Sequence, residues 1–485
     1  MNGSHATHDT NTDTEIDTVA GPALDPRVCR RARLSRDPRF DGAFFLAVRT
    51  TGIYCRPVCP ARAPAEQNVT YYASAELAAR DGYRPCLRCR PESAPGSPAW
   101  MGTSTSVRRA LALIRAGALN DGSVAQLAAR LGVGERYLRK LFQRELGVSP
   151  AALALNQRLL FAKKLLAETS LPMTQVAFAA GFSSVRRFNS AVRSHFRLTP
   201  QDLRRHTGSA GDGSRISLQL NYRPPYDWDG VLAFFARHAI DGVEAVDDGT
   251  YRRHFATTQG PGELSVASLR DRDALALQLS LPDQRLLMPL VARIRRMFDL
   301  DANPAAIAAV LGEDPSLRSL LRRNPGIRAP GHWSPWEAAV RAVVGQQVST
   351  RAARGILGRF ATAVPAGAAA RVFPPPAALL ALGDSDFPMP ASRRDTLRAL
   401  ARLCGEREDE LDLEALAALR GVGPWTVAMV DMRGCGRPDS LPLTDLGIAR
   451  AWRALAGDTP LREHARHWRP WRSYAANLLW RSLSP

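Results

Sequence analysis

The sequence predicts a multidomain, mainly α-helical protein. The expected parts are a small cysteine-clasped domain, an all-α helix-turn-helix region, an α+β antiparallel-sheet subdomain and an all-α C-terminal core. Three observations carry this. Four of the seven cysteines fall in two close pairs, Cys55/Cys59 and Cys86/Cys89. A helix–glycine–helix pattern occurs twice between residues 106 and 206. Alternation of apolar and polar residues is confined to 215–285, with helical spacing on either side.

A chain of 485 residues has room for about three or four domains. Its net charge is +19, nearly all of the positive charge being arginine. Such an excess argues about partners rather than fold, and a polyanion such as DNA is the leading one. Residues 1–25 hold Asp9, Asp13, Glu15, Asp17 and Asp25 with no Lys or Arg, and predict a disordered acidic tail. No apolar run is long enough to span a bilayer, and no basic-then-apolar leader opens the chain. A cytoplasmic protein of the bacterial nucleoid with no membrane partner is therefore expected. Pro/Gly/Ser-rich stretches at 91–105 and 207–214 set the expected domains at 26–92, 106–206, 215–288 and 289–485.

In the first domain, Cys55-Arg-Pro-Val-Cys59 and Cys86-Leu-Arg-Cys89 suit four thiolates around one Zn²⁺. On spacing alone, a purely structural site stays open. The surrounding residues are more specific: Asp37-Pro-Arg-Phe-Asp-Gly-Ala-Phe-Phe through Arg62, then Gly82-Tyr-Arg-Pro-Cys86. This stretch resembles the N-terminal domain of the Ada methylation-response regulators. The resemblance implies that Cys55, while a zinc ligand, accepts a methyl group from a DNA methylphosphotriester. It also implies that Thr51, Arg62, Arg84 and Arg88 contact DNA phosphates.

Val124-Ala-Gln-Leu-Ala-Ala-Arg-Leu-Gly through Phe142 reads as helix, glycine turn, helix, and Met173 through Phe188 repeats it. Small residues before each glycine allow close helix crossing. The matched endings Gly147-Val-Ser-Pro150 and Arg197-Leu-Thr-Pro200 complete a pattern that resembles the AraC-type double helix-turn-helix. Arg136, Arg139 and Lys140 in one unit, and Arg186, Arg187 and Asn189 in the other, sit where groove contacts fall. A helical packing domain with a solvated arginine face is the alternative.

Three signals mark the C-terminal core. Leu419-Arg-Gly421-Val-Gly423-Pro-Trp425-Thr426 has the glycines of a helix-hairpin-helix turn. Leu441-Pro-Leu-Thr-Asp445-Leu-Gly-Ile448 puts an acid where a helix opens, a position that also suits an N-cap. Residues Arg466 to Trp480 are rich in Trp and Tyr. Together with Asn221-Tyr-Arg-Pro-Pro-Tyr-Asp-Trp228 and Val340 through Ser349, these resemble the AlkA-type 3-methyladenine DNA glycosylases of the helix-hairpin-helix superfamily.

That resemblance implies base flipping, with Asp445 as catalytic acid and Trp425, Trp480 and Phe234 lining a pocket whose electron-rich faces suit a cationic base. Gly421, Gly423 and Gln347 would meet DNA, Gln347 filling the gap left by the flipped base. A monovalent ion at the hairpin is left open. Met429 and Leu446 stand in the pocket where the family has Tyr, and Gln347 where it has Leu. The hairpin position that holds Lys in bifunctional members is Trp425, so a monofunctional hydrolase is expected. The core carries no second cysteine cluster, and no iron–sulfur centre is expected. The reading is a fusion that excises alkylated purines and, once methylated at Cys55, activates transcription with RNA polymerase as a partner. The alternative is an activator whose glycosylase half is inactive.

Overall fold

A computed structural model describes residues 24–95, 105–207, 215–363 and 371–483. The acidic tail expected over 1–25 lies almost wholly outside these. Among the described residues, no helix is long and apolar enough to cross a membrane.

The N-terminal region opens with a helix, Pro26–Ser35, set by Asp25 as N-cap and Pro26 in the first turn. A four-stranded sheet follows: β1 (Phe45–Val48), β2 (Ile53–Cys55), β3 (Val69–Tyr72) and β4 (Arg84–Pro85), in the order β3-β1-β2-β4. β2 runs parallel to β4 with Tyr54 opposite Pro85, which brings Cys55 beside Cys86. The apolar clusters here are small, and the cysteines form part of one.

The middle region is all helix. Its two helix-turn-helix units are Val124–Arg130 with Glu135–Leu146, and Met173–Ala179 with Val185–Phe196. Pro150–Glu168 joins them. Ser123, Ser149 and Ser184 cap their helices, the first with Gln126 in a capping box. The second helix of each unit buries one apolar stripe, Leu138, Leu141 and Phe142 or Phe188, Val192 and Phe196. Its arginines face outward.

Next come five antiparallel strands, β5 (Ile216–Asn221), β6 (Glu244–Asp247), β7 (Thr250–Thr257), β8 (Gly260–Leu269) and β9 (Ala274–Ser280), ordered β5-β9-β8-β7-β6. The helix Trp228–His238 lies between β5 and β6 in sequence. The apolar core does not break at the second linker. Phe182 and Phe188 of the second helix-turn-helix, with Leu203 of the helix after it (Pro200–Thr207), pack in one cluster with Leu218, Tyr251 and Leu277 of the sheet. Two further cores organise the C-terminal helices, one around Trp336, Val340 and Leu397, the other around Trp452, Trp468 and Leu478. The cleft described below opens between elements of these cores.

Polar contacts also cross between regions. Lys163, fully buried on Pro150–Glu168, donates to the Cys86 carbonyl at 2.9 Å and pairs with Glu92. Arg223, also fully buried, donates to the Asp41 carbonyl at 2.7 Å.

The sheet is joined to the C-terminal core by four buried charges. Arg253 on β7 donates to Glu244 on β6 at 2.8 Å and pairs with Glu337 on the helix Pro335–Val344. Arg341, one turn on, donates to Glu337 at 2.8 Å and to Glu244 at 2.6 Å. Burial alone pushes the Glu244 carboxyl up, but Arg341 and then Arg253 more than offset it and bring it to about 2. Removing one member leaves an uncompensated buried charge. Arg253→Met is therefore expected to cost about 3–5 kcal/mol, read from the shift of the urea unfolding midpoint; an unchanged midpoint would refute the role.

Candidate functional sites: a four-cysteine centre and an aspartate-bearing cleft

The sulfur atoms of Cys55, Cys59, Cys86 and Cys89 all lie within 4.8 Å of one another. Zn–S bonds of about 2.3 Å in a tetrahedron put the sulfurs roughly 4 Å apart, so the four side chains need only a small inward movement to close on one ion, and all four donors are thiols of the right softness. The set fits Zn²⁺. Cys86 accepts a bond from the Arg88 backbone N–H at 3.4 Å, and Cys89 one from that of Arg56 at 3.3 Å. No backbone N–H donates to Cys55 among the described residues. Arg56 is buried, pairs with Asp41, and donates to the Cys89 carbonyl at 3.0 Å. Cys55 is 8 % exposed and Cys59 half-buried.

The predicted phosphate contacts cluster on this side. Thr51 lies in the turn between β1 and β2, and the Arg84 N–H donates to the neighbouring Gly52 carbonyl at 2.9 Å. Thr51, Arg62 and Arg88 are exposed and Arg84 half-exposed. None of these three arginines forms an ion pair among the described residues. In the helical region Arg136, Arg139, Arg186 and Arg187 are all exposed. Arg139 is engaged by Glu135 one turn earlier, and Arg187 donates to Ser183.

The second site is an open cleft of about 1440 Å³ between the Trp228–His238 helix, the Pro335–Val344 helix with the turn after it, and the C-terminal hairpin. Asp445 lines it as N-cap of Leu446–Ala456. One carboxylate oxygen accepts from the Ile448 N–H at 3.0 Å and the Trp480 indole at 2.9 Å. The other accepts from the Trp425 indole at 2.9 Å. Gly447 keeps this arrangement open, because a Cβ there would sit 3.1 Å from Asp445 and 3.3 Å from the Trp480 ring.

The hairpin itself turns at Gly421, where a φ of +87° and the 2.3 Å that would separate an added Cβ from the Thr396 hydroxyl both exclude a side chain. Gly423 caps Pro424–Met429, which continues as a wider π-helical turn over Val430–Gly434. Gln346 donates to the Gly421 carbonyl at 3.0 Å and the Thr426 hydroxyl at 3.1 Å. Its neighbour Gln347 is exposed at a left-handed φ of +57°.

Trp425, Trp480, Phe234, Met429 and Leu446 all line the cleft. Two findings modify the expectation for them. Leu446 is 86 % exposed and stands at the rim rather than in the pocket wall. The aromatic faces are also not all free for a base. Arg433, 4 % exposed, lies over Phe234 at 4.5 Å and Trp480 at 5.2 Å. Its hydrogen bonds go to the Pro330 carbonyl and the Asn477 amide oxygen, and burial pulls it down to about 9.

Arg433, His238 and His332 were not singled out from the sequence, where histidines appear scattered. Here both imidazoles pack around Phe234, with ring centroids 4.5 and 5.6 Å from it. A local signal existed only for Arg433, which lies on the hairpin's own helix; nothing near His238 or His332 announces the other.

Comparison with known proteins places these sites in a family. Residues 28–92 match the family model described as the metal binding domain of Ada, 127–206 a helix-turn-helix domain, and 217–334 the AlkA N-terminal domain. A probable bifunctional transcriptional activator/DNA repair enzyme AlkA of Mycobacterium tuberculosis is 42 % identical over 477 residues, which is 94 % of this chain and 96 % of its own. The chain belongs to the AlkA/Ada family of bifunctional transcriptional activator/DNA repair enzymes.

Parts of the chain resemble separate family relatives. DNA-3-methyladenine glycosylase 2 of Escherichia coli is 31 % identical over 285 residues, 54 % of this chain and 95 % of its own. The bifunctional transcriptional activator/DNA repair enzyme Ada of the same organism is 39 % identical over 119 residues, 24 % of this chain and 32 % of its own.

Because the four thiols hold the small domain's centre together, metal and fold are linked there. The chain is expected to carry one Zn²⁺, lost in Cys86→Ala along with the near-UV signal of that domain; plasma emission spectrometry finding no zinc in the wild type would overturn the assignment.

Proposed function

We propose that the chain repairs alkylated DNA and regulates the response to it, using Asp445 to hydrolyse the N-glycosidic bond of alkylated purines and Cys55 to take a methyl group from DNA methylphosphotriesters. The work divides along 26–92, 106–206, 215–288 and 289–485. The observation that carries the repair half is the Asp445 carboxylate, held in the cleft by two indole N–H groups and a helix amide.

A glycosylase must first turn its base out of the stack. Gln347 projects from the cleft rim to fill the space left behind, while Gly421 and Gly423 bring the hairpin backbone close to a phosphate. As the bond from C1′ to the base breaks, the electron pair leaves with the base and positive charge grows on the sugar. Asp445 stabilises that charge and takes a proton from the water that adds to C1′. An alkylated purine that begins as a cation departs neutral and needs no acid. Trp425 occupies the hairpin position with no amine to offer, so the reaction ends at hydrolysis without strand cleavage.

A Zn²⁺ bound by the four cysteines keeps their thiols deprotonated. In the transfer, a bond forms between the Cys55 sulfur and the methyl carbon as the methyl–oxygen bond breaks, leaving a phosphodiester anion. Cys55 is favoured over Cys86 and Cys89 because no backbone N–H draws on its sulfur among the described residues, as the Arg88 and Arg56 amides do on theirs. Methylation removes a unit of negative charge beside Arg62, Arg84 and Arg88, which strengthens DNA binding and directs the Arg136, Arg139, Arg186 and Arg187 helices to a promoter, where RNA polymerase is the partner.

Asp445→Asn is expected to lower release of 3-methyladenine from methylated DNA by about 100-fold or more; equal release by mutant and wild type would remove Asp445 from its role. After exposure to methylphosphotriester DNA, peptide mass spectrometry is expected to find the added methyl on Cys55, and a methyl on Cys59 instead would refute the acceptor assignment.

A further inference from the structure

The far end of the cleft from Asp445 holds chemistry that the hydrolysis does not use. Phe234 forms its centre, with Arg433 over one face and His238 and His332 beside it. The two imidazoles are 6.1 Å apart, centroid to centroid, at a steep angle. Both line the same cleft as Asp445.

The hydrogen bonding of His238 is one-sided. Its Nδ1 lies 2.7 Å from the Phe234 carbonyl oxygen. A carbonyl only accepts, so Nδ1 carries the hydrogen. Burial, with Arg341, Arg433 and Arg237 nearby, pulls the ring down to about 4, so it is neutral at pH 7. In that tautomer Nε2 holds a bare lone pair on the side of the ring away from its own helix. Nothing among the described residues donates to it. The Arg341 guanidinium reaches the His238 main-chain carbonyl instead, at 2.7 Å, and holds that helix end in place.

His332 differs. It is 8 % exposed, burial holds it well below the usual histidine range, and its ring makes no hydrogen bond among the described residues. Its tautomer is free, so it supplies either a donor or an acceptor.

A base bound for hydrolysis has its sugar bond at Asp445. We place its six-membered-ring edge on the other side of Trp480 from the carboxylate, where Arg433, Phe234 and the two imidazoles line the same cleft. Adenine presents a 6-amino donor beside an N1 acceptor on that edge. Guanine presents an O6 acceptor beside an N1–H donor. A fixed acceptor opposite position 6 accepts from the amino group and repels the carbonyl oxygen. His332 can then turn its N–H to N1 of adenine.

We propose that His238 and His332 form a base-reading floor in the cleft, and that the fixed acceptor of His238 makes it favour alkylated adenines over the correspondingly alkylated guanines. His238 is thus a specificity-determining residue. The inference rests on the glycosylase reading given above.

The test compares two bases with the same alkylation and the same cationic charge, so that leaving-group ability cancels. Initial rates of release of 3-methyladenine and 3-methylguanine from one preparation of methylated duplex DNA are measured by chromatography, with the full chain. Wild type is expected to favour 3-methyladenine. His238→Phe keeps the ring and removes the lone pair, and is expected to lower the 3-methyladenine to 3-methylguanine ratio about tenfold, as loss of one such contact does in discrimination. His238→Gln, whose amide oxygen accepts, is expected to restore part of the ratio.

An unchanged ratio in His238→Phe overturns the proposal, as does a fall of both rates in step. A shift of the same size in His332→Phe assigns discrimination to pocket shape and also overturns it. Wild type releasing neither base sinks the glycosylase reading itself, whereas wild type releasing both without preference sinks only the base-reading floor.

Discussion

Four charges buried between the sheet and the C-terminal core join the two bodies that border the cleft. Glu244 and Arg253 come from adjacent strands, Glu337 and Arg341 from one helix, and the set is neutral in sum. Each carboxylate meets both guanidinium groups, so the desolvation cost of each ion is shared among several short contacts. The quartet fixes the angle between two bodies whose apolar faces alone would allow sliding, since apolar contact has no direction. Arg341 carries that constraint to the cleft by holding the end of the Trp228–His238 helix through its main chain. The position of Phe234 and His238 is therefore tied to an ion cluster whose Arg341 also lines the cleft.

Across the cleft, charge is arranged by depth. Asp445 lines it, held by dipoles rather than by a paired cation. Two indole N–H groups and a helix amide orient its carboxylate, and it forms no ion pair among the described residues. Arg433 lies deeper, bonded only to neutral oxygens and seated on two aromatic rings. Trp480 connects the two, donating to Asp445 from its ring edge while its face meets Arg433. The same indole thus serves the carboxylate and the floor. A capping role for Asp445 and a chemical one are compatible because the helix amide uses part of one oxygen only.

At the other end of the chain four cysteine sulfurs are gathered in a domain where Arg56 pairs with Asp41 while Arg62, Arg84 and Arg88 form no ion pair among the described residues. The four thiolates stand where strand pairing and a short loop bring them, and Arg56 ties that loop to Asp41 behind it. Lys163 and Arg223 extend the contacts from this region into the helix-turn-helix and the sheet. The regions share buried polar bonds and, at the second linker, a continuous apolar core. That continuity is a property of the packing and not of the linker's composition.

Residue order by itself determined a good deal. The cysteine spacing named a metal and its ligands, because a tetrahedral thiolate site tolerates few loop lengths. Periodicity separated the alternating strands from the helices on either side. The glycines at 421 and 423, and the aspartate after Pro442, marked a backbone turn and a helix start, which are local requirements written in adjacent residues. Asp25, expected in the disordered tail, instead caps the first helix, with Pro26 supplying a preset φ. Only the tertiary structure decided what faces Asp445. Arg433, His238 and His332 come from three separate elements, and the ion quartet draws on two regions of the chain. Their meeting depends on packing angles and buried electrostatics summed over many residues, which no short motif encodes. The exposure of Leu446 was decided the same way: its position beside the acid was clear from the sequence, but its direction was set by the helix that Asp445 begins.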